Sequence, residues 1–216
     1  MHLQIPGRGF RPHPPLSSRV GIFGGTFNPP HIGHLICAQE AHLRLGLDRV
    51  ILMPAGCPPH KPLQDDPGAQ HRLALCRRAV AMDGRFEVSD MEVLRAGPSY
   101  TVDTLVTLHA QMPDSELFLI VGGDVAAGLP SWREPARVLS LATLAVARRR
   151  GTSRTAIDRA LASLTGAGHA EFFRMPRIGI SSTEIRERVR CGEPIAFLVP
   201  EPVASYIDEH HLYGGS

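Results

Sequence analysis

The chain has 216 residues and a mass of 23.5 kDa, which is enough for one substantial hydrophobic core. Its hydrophobic content of 43% and charged content of 20% are typical of a globular protein and exclude the disordered and membrane-spanning classes. The formal net charge of +2 gives no strong field that would attract nucleic acid or a membrane surface, so we expect neither partner.

The first 18 residues differ in composition from the rest of the chain. Residues 1–18 are rich in Pro, Gly and Arg, show no periodicity, and contain no continuous apolar core of a signal peptide. We expect a disordered extension there, followed by a single domain over 19–216. The four cysteines show no CxxC or zinc-type spacing, which indicates reduced, buried or half-buried thiols and a cytoplasmic protein.

Short apolar runs alternate with segments of helical spacing. The runs predict strands at 19–23, 50–54, 86–88, 117–121, 141–147 and 171–174, and the segments predict helices at 33–45, 69–82, 101–111, 133–140 and 153–164. This alternation predicts an α/β fold, an open parallel sheet with helices on both faces. Two further helices, at 181–190 and 200–210, would form a C-terminal helical segment. Ligands of such sheets bind beyond the carboxyl ends of the strands.

The first motif, GGTFNPPHIGH, follows directly on the first predicted strand. Gly24 and Gly25 allow a tight turn and a close approach of the backbone to a ligand. A helix that starts after this turn would favour an anion at its N-terminus. His31 and His34 would share a face of that helix, where both could donate to one phosphate and become cationic as charge develops. A plain turn or a partial metal site is the alternative, but no third ligand follows at a zinc-like spacing, so we predict no protein metal site.

The second motif, ISSTEIR, precedes the C-terminal helices. Ser181 and Glu184 have the spacing of a capping box, which could be the whole purpose of the segment. However, Ser182 and Thr183 add two hydroxyls, and Arg186 adds a fork of N–H donors suited to phosphate oxygens. The motif therefore favours phosphate binding over capping alone.

Together these motifs resemble the two signatures of the nucleotidyltransferase superfamily, (H/T)xGH and the segment that holds the ATP triphosphate. The resemblance implies a Rossmann-like nucleotidyltransferase fold, with His31, His34 and Arg186 as catalytic residues. It also implies ATP binding by Gly24, Gly25, Thr26, Phe27, His34, Ser181, Ser182, Thr183 and Arg186. Order and separation make the pair of signatures more specific than either alone.

Between the signatures, and along most of residues 19–213, the chain resembles the bacterial nicotinate-nucleotide adenylyltransferases. The resemblance is carried by SYTVDTL at 99–105 and by GGD followed by the single tryptophan. It implies that Gly122 and Asp124 approach the adenosine side of ATP. It assigns the mononucleotide to Asn28, Lys61, Ser99, Tyr100, Thr101, Trp132 and Arg148.

In that resemblance the Tyr100–Thr101 backbone reads the nicotinate carboxylate and Trp132 stacks on the pyridine ring. Judged from the residues alone, Ser99 or Thr101 could instead cap a helix, and a lone tryptophan could be core. Two departures stand out. Many relatives carry Asp where this chain has Asn28, and the run Arg148, Arg149, Arg150 lacks a usual proline, which leaves open which arginine faces the site.

The activity implied is transfer of the adenylyl group of ATP to nicotinate mononucleotide, giving nicotinate adenine dinucleotide and pyrophosphate for NAD biosynthesis. Mg²⁺ would accompany ATP, bound mostly through water. Nicotinamide mononucleotide and phosphopantetheine are alternative acceptors, and a non-catalytic ATP-binding module is an alternative of another class. Selectivity for the acid over the amide and the presence of a homo-oligomer stay open.

Overall fold

Six parallel strands form one sheet in the order β3-β2-β1-β4-β5-β6. The computed structural model describes residues 18–59, 64–148, 154–164 and 170–214. The strands are β1 Arg19–Gly25, β2 Arg49–Pro54, β3 Phe86–Val88, β4 Glu116–Gly122, β5 Thr143–Arg148 and β6 Ala170–Arg174. Every strand predicted from the sequence is present within two residues of its expected ends. Because the order reverses between β1 and β4, a crevice opens there at the carboxyl edge of the sheet.

The helices follow the predicted alternation. They are α1 Ile32–Leu45, α2 Ala69–Val80, α3 Met91–Leu94, α4 Thr101–Gln111, α5 Gly123–Ala127, α6 Pro135–Leu141, α7 Arg154–Ala162, α8 Ser182–Arg190 and α9 Glu201–Glu209, with a 3₁₀ turn at Leu129–Ser131. The sequence did not predict α3, α5 and the 3₁₀ turn, since elements of three to five residues are too short to show a period.

Alternate residues of the central strands point to opposite faces, and each face has its own core. In β4, Leu117, Leu119 and Val121 belong to one cluster, which also contains residues of α4, α6 and α7. Phe118 and Ile120 belong to the other, together with residues of α1 and α2. The predicted α/β class, a parallel sheet covered on both faces, is therefore confirmed.

The C-terminal helical segment packs through a third cluster. Ile185 of α8 and Val203 and Ile207 of α9 lie against Leu75 of α2, all of them buried. The segment is thereby attached to the helix that follows the second strand, which places α8 near the carboxyl edge of the sheet.

The predictions for the cysteines and for the N-terminal extension have different outcomes. Cys37 and Cys76 are buried, but Cys57 and Cys191 are exposed, and all four are free thiols. The predicted extension falls, except for Ser18, outside the described residues, and the single-domain organisation stays a prediction. Among the helices that the structure describes, none combines the length and apolarity needed to span a bilayer.

Candidate active site

A cavity of about 520 Å³ lies at the reversal of strand order. Its walls come from the segments that follow β1, β2 and β4, together with the start of α1 and the start of α4. Eight of the residues predicted to bind substrate line it, namely Gly24, Gly25, Thr26, His34, Thr101, Gly122, Asp124 and Trp132. The volume is within the range of small-molecule sites.

A larger cavity, about 720 Å³, lies between α8 and α9 and is lined by residues such as Val189, Ile195 and Ile207. None of the predicted site residues lines it. The cavity at the strand ends is the candidate active site because it combines the position expected for a parallel sheet with the chemistry of the first motif.

The two histidines of the first motif form the N-terminal cap of α1. His31 precedes the helix in extended conformation and its Nδ1 accepts from the Gly33 N–H at 3.1 Å, while His34 Nδ1 accepts from the His31 N–H at 3.2 Å. The rings are close, with centroids 3.8 Å apart. The expectation that both histidines lie on the helix is corrected: only His34 does, and His31 is 5% exposed.

This capping fixes which nitrogen of each ring can donate. Because Nδ1 accepts a backbone hydrogen bond in both rings, the neutral imidazole carries its proton on Nε2. A ring protonated on both nitrogens would lose this cap, and whether the pair becomes cationic as charge develops on a phosphate stays a prediction. A Cβ at Gly33 would lie 3.0 Å from the His31 ring, so a larger residue there would press on that ring.

The remaining residues of the turn support this pair. Phe27 is 1% exposed and lies edge-on to the His34 ring, with centroids 5.1 Å apart. Asn28 is also buried, and both ends of its amide are used: Nδ2 donates to Gln64 O at 3.1 Å, and Oδ1 accepts from Tyr213 Oη at 2.9 Å. Burial raises the pKa of Tyr213, which keeps this hydroxyl protonated as a donor. Phe27 and Asn28 therefore stabilise the turn through buried contacts.

The second motif meets the first directly. Ser182 Oγ donates to Pro29 O at 2.8 Å, and Arg186 Nη1 donates to Asn28 O at 3.0 Å. Arg186 is 7% exposed and its Nε also lies 3.5 Å from Asp65 Oδ2. Two segments more than 150 residues apart in sequence are thereby joined at the turn.

The capping box of this motif is only half formed. Ser181 Oγ accepts from the Glu184 N–H at 3.1 Å, but the Glu184 carboxylate lies 3.5 Å from Arg188. Ser181 and Thr183 are exposed at the start of α8. Capping by Ser181 therefore leaves the neighbouring hydroxyl of Thr183 at the surface for another partner.

The acceptor side of the cavity is built around the start of α4. No side chain caps this helix, which begins after Tyr100, so the helix-cap alternative for Ser99 and Thr101 is wrong. Ser99 is buried and its Oγ instead accepts from the N–H groups of Gly56 and Cys57, at 3.0 and 3.3 Å. Tyr100 is half-buried beneath the guanidinium of Arg133, 4.7 Å from its ring centroid.

The basic residues predicted to bind the mononucleotide are only partly described by the structure. Arg148 is exposed at the end of β5, whereas Lys61, Arg149 and Arg150 lie outside the described residues.

Trp132 is half-buried in the cavity wall and packs against the core cluster of α4 and β4. Both readings of Trp132, as core and as ligand platform, are therefore compatible with its place.

Two buried charged residues beside the cavity were not predicted from the sequence. Arg72 of α2 is 0% exposed, and Glu92 of α3 is 7% exposed. Thr104 Oγ1 donates to Glu92 Oε1 at 2.6 Å, while burial raises the pKa of this carboxyl. One signal existed for Arg72, since Arg72, Cys76 and Val80 are spaced four apart on one helix face and the last two are buried.

Comparison with known proteins identifies this architecture. Residues 22–188 match the family model described as cytidylyltransferase-like, which defines the class. A protein of Roseiflexus sp. (strain RS-1) named "Probable nicotinate-nucleotide adenylyltransferase" is 46% identical over 200 residues, 91% of this chain and 98% of the relative. A protein of the same name from Synechococcus sp. (strain JA-3-3Ab) is 40% identical over 94% of this chain and 98% of its own length. The chain belongs to the nicotinate-nucleotide adenylyltransferase family.

The solved structures agree on the fold. Nicotinic acid mononucleotide adenylyltransferase of Plasmodium falciparum, complexed with NaAD, superposes with a TM-score of 0.73 at 18% identity over 91% of this chain and 97% of that one. The Rossmann-like nucleotidyltransferase fold and the resemblance stated from the two signatures are confirmed. Nucleotidyltransferases of this family use ATP with a divalent metal ion.

The cavity offers few protein ligands for a divalent metal ion. Asp124 supplies the one carboxylate among the described lining residues, and the part of the chain that the structure describes has no group of three or more His, Cys, Asp or Glu arranged around a metal. This donor set suits an ion held chiefly by the substrate's phosphate oxygens and by water.

Proposed function

We propose that the protein transfers the adenylyl group of ATP to nicotinate mononucleotide, releasing pyrophosphate and nicotinate adenine dinucleotide. The observation that carries the proposal is that Trp132 and Thr101 line the same cavity as His34 and the glycines at the end of β1. The names of the relatives and the NaAD complex of the Plasmodium protein support the same acceptor.

In the proposed reaction, a phosphate oxygen of the mononucleotide attacks the α-phosphorus of ATP and the bond to the β-phosphate oxygen breaks. The attacking phosphate is ionised near neutral pH, so no general base is needed. Catalysis then consists of alignment and of stabilisation of charge on the phosphates. Mg²⁺ bound to ATP would neutralise part of that charge.

The ATP side is assigned to the turn and to α8. His34 donates from Nε2 to the α- or β-phosphate, and Gly24, Gly25 and Thr26 let the backbone approach it, which their place in the cavity wall supports. Arg186, Ser182 and Thr183 serve the β- and γ-phosphates. This role is supported by the resemblance of their motif and by the contacts of Ser182 and Arg186 to the turn.

The acceptor side is assigned to the start of α4 and to Trp132. The uncapped first turn of α4 is a favourable place for the nicotinate carboxylate, because helix N-termini attract anions. Trp132 offers a flat surface for the pyridine ring. Assignments of Lys61 and Arg148, of the cytoplasmic location and of any homo-oligomer rest on the sequence and stay predictions.

A product assay tests the proposal. The protein is mixed with ATP, Mg²⁺ and one of three acceptors: nicotinate mononucleotide, nicotinamide mononucleotide or phosphopantetheine. Pyrophosphate release is followed, and products are separated by anion-exchange chromatography, which resolves the acid from the amide. We expect the fastest turnover with the nicotinate acceptor. Faster turnover with another acceptor would show that nicotinate mononucleotide is not the preferred acceptor. ATP binding without pyrophosphate release would favour the non-catalytic module.

A further inference from the structure

Arg72 lies behind the cavity, between the segments that follow β1 and β2. It is 0% exposed, and its guanidinium donates to three backbone carbonyls: Thr26 O at 3.1 Å, Ala55 O, and Gly56 O at 3.0 Å. Its Nε donates to Asp66 Oδ1 at 2.9 Å. Four of its five N–H donors therefore have partners, on two stretches of backbone and on the Asp66 carboxylate.

Burial of the Arg72 guanidinium costs free energy unless its N–H groups are hydrogen-bonded, because a buried cation loses its hydration. Here the compensation comes mainly from carbonyl dipoles, with Asp66 as the one carboxylate. The rigid fork of a guanidinium can hold carbonyls at fixed separations, whereas the single nitrogen of a lysine cannot reach all of them. The chemistry requires an arginine rather than just a positive charge.

The carbonyls that Arg72 binds belong to both sides of the cavity. Thr26 lies in the turn assigned to ATP, and Ala55 lies in the segment that leads towards the acceptor side; both line the cavity. The Ala55–Cys57 segment is also held from the opposite direction, since Ser99 Oγ accepts from the Gly56 and Cys57 N–H groups. The two peptide groups that flank Gly56 are thus each held at the N–H by Ser99 and at the carbonyl by Arg72.

We propose that Arg72 is a positioning residue, which sets the distance between the ATP-binding turn and the acceptor-binding segment. This role rests on the proposed function of the cavity. Arg72 is buried behind the walls and touches neither substrate, so its effect is on the alignment of the two bound reactants. Misplacement of reacting groups by about 1 Å can lower the rate by about a hundredfold.

The test compares Arg72→Lys with Arg77→Lys on the same helix, where Arg77 is exposed and pairs with Asp90 at the surface. Three quantities are measured: kcat at saturating substrates per folded molecule, the Kd of ATP from Trp132 fluorescence, and the melting temperature. For Arg72→Lys we expect kcat to fall about tenfold or more while the Kd of ATP changes less than about threefold. Arg77→Lys should match the parent.

A purely structural role would lower the melting temperature but leave kcat per folded molecule unchanged, so a folded Arg72→Lys protein with kcat within twofold of the parent overturns the proposal. If Arg72→Lys fails to fold, Asp66→Ala decides, since Asp66 is partly exposed and orients Nε. We then expect kcat to fall at least about threefold with an unchanged circular dichroism spectrum. A parental kcat in that variant overturns the proposal. Failure of the proposed function would appear separately, as a parent protein that makes no nicotinate adenine dinucleotide.

Discussion

Gly56→Ala places a methyl group where the structure has no room for one. A Cβ at Gly56 would lie 2.1 Å from the carbonyl oxygen of Glu92 and 2.9 Å from its carbonyl carbon, whereas ordinary contact begins at 3.4 Å. The clash is with backbone rather than with a flexible side chain. The segment after β2 and the short helix α3 must therefore separate by roughly 1 Å, since a packed interior does not absorb such an overlap.

Two effects should follow from that shift. Overpacking of this kind costs about 1–3 kcal/mol, which in a chain of this length lowers the melting temperature by about 2–12 °C. Ala55, which precedes Gly56, and Pro58 and Pro59 line the cavity, so the displacement also reaches the acceptor side. We expect kcat/KM for the mononucleotide to fall by about ten- to a hundredfold.

Calorimetry and steady-state pyrophosphate release measure these effects, with Gly84→Ala as the matched control. Gly84 lies between α2 and β3 and a Cβ there meets nothing within 4 Å. The control should keep parental stability and turnover. If Gly56→Ala behaves like Gly84→Ala in both assays, the steric argument for this segment is wrong.

Three further predictions concern side chains at the cavity. His34→Ala should lower kcat by about 10²–10³, roughly 3 kcal/mol of transition-state stabilisation, in the pyrophosphate assay, and near-normal turnover would contradict its role as a donor. The exposed His109 gives a control, since His109→Ala should be silent. Trp132→Ala should raise the KM of the mononucleotide far more than that of ATP, and equal changes would refute stacking. Burial raises the pKa of Glu92 above 4.5, so the folded state retains this proton more strongly than the unfolded state. The free energy of unfolding that this carboxyl contributes is therefore present below pH 4.5 and is lost as the pH rises through the native pKa. In urea titrations at several pH values, Glu92→Gln should remove this loss of unfolding free energy with rising pH. A pH dependence unchanged from the parent would contradict the role of Glu92.

The strands and the two motifs could be predicted because their signals are local. Each strand is a short apolar run, although Gly24 and Gly25, expected to form a turn, are the last two residues of β1, and Ser182 and Thr183 are the first two of α8. His31 was expected on helix α1 rather than at its cap because histidine is not a usual capping residue, and the cap depends on two rings facing their own backbone.

Buried polar residues with distant partners could not be predicted. Arg72 interrupts an apolar helix face, a pattern that equally fits a charge at the surface, and its partners are carbonyls, which no sequence pattern displays. Tyr213 is buried in the third cluster, with residues of α8 and α9. Its hydrogen bond to Asn28 spans 185 residues and depends on the finished fold.

That bond has a consequence for the order in which the protein is made. Asn28 leaves the ribosome early, but the hydroxyl that completes its side chain's hydrogen bonding is synthesised 185 residues later. A nascent chain can form β1 and the turn, yet Asn28 Oδ1 lacks this donor until Tyr213 emerges. The turn that holds the histidine pair is thus completed by nearly the last residue that the structure describes. A chain truncated before Tyr213 lacks one of the hydrogen bonds that support this turn.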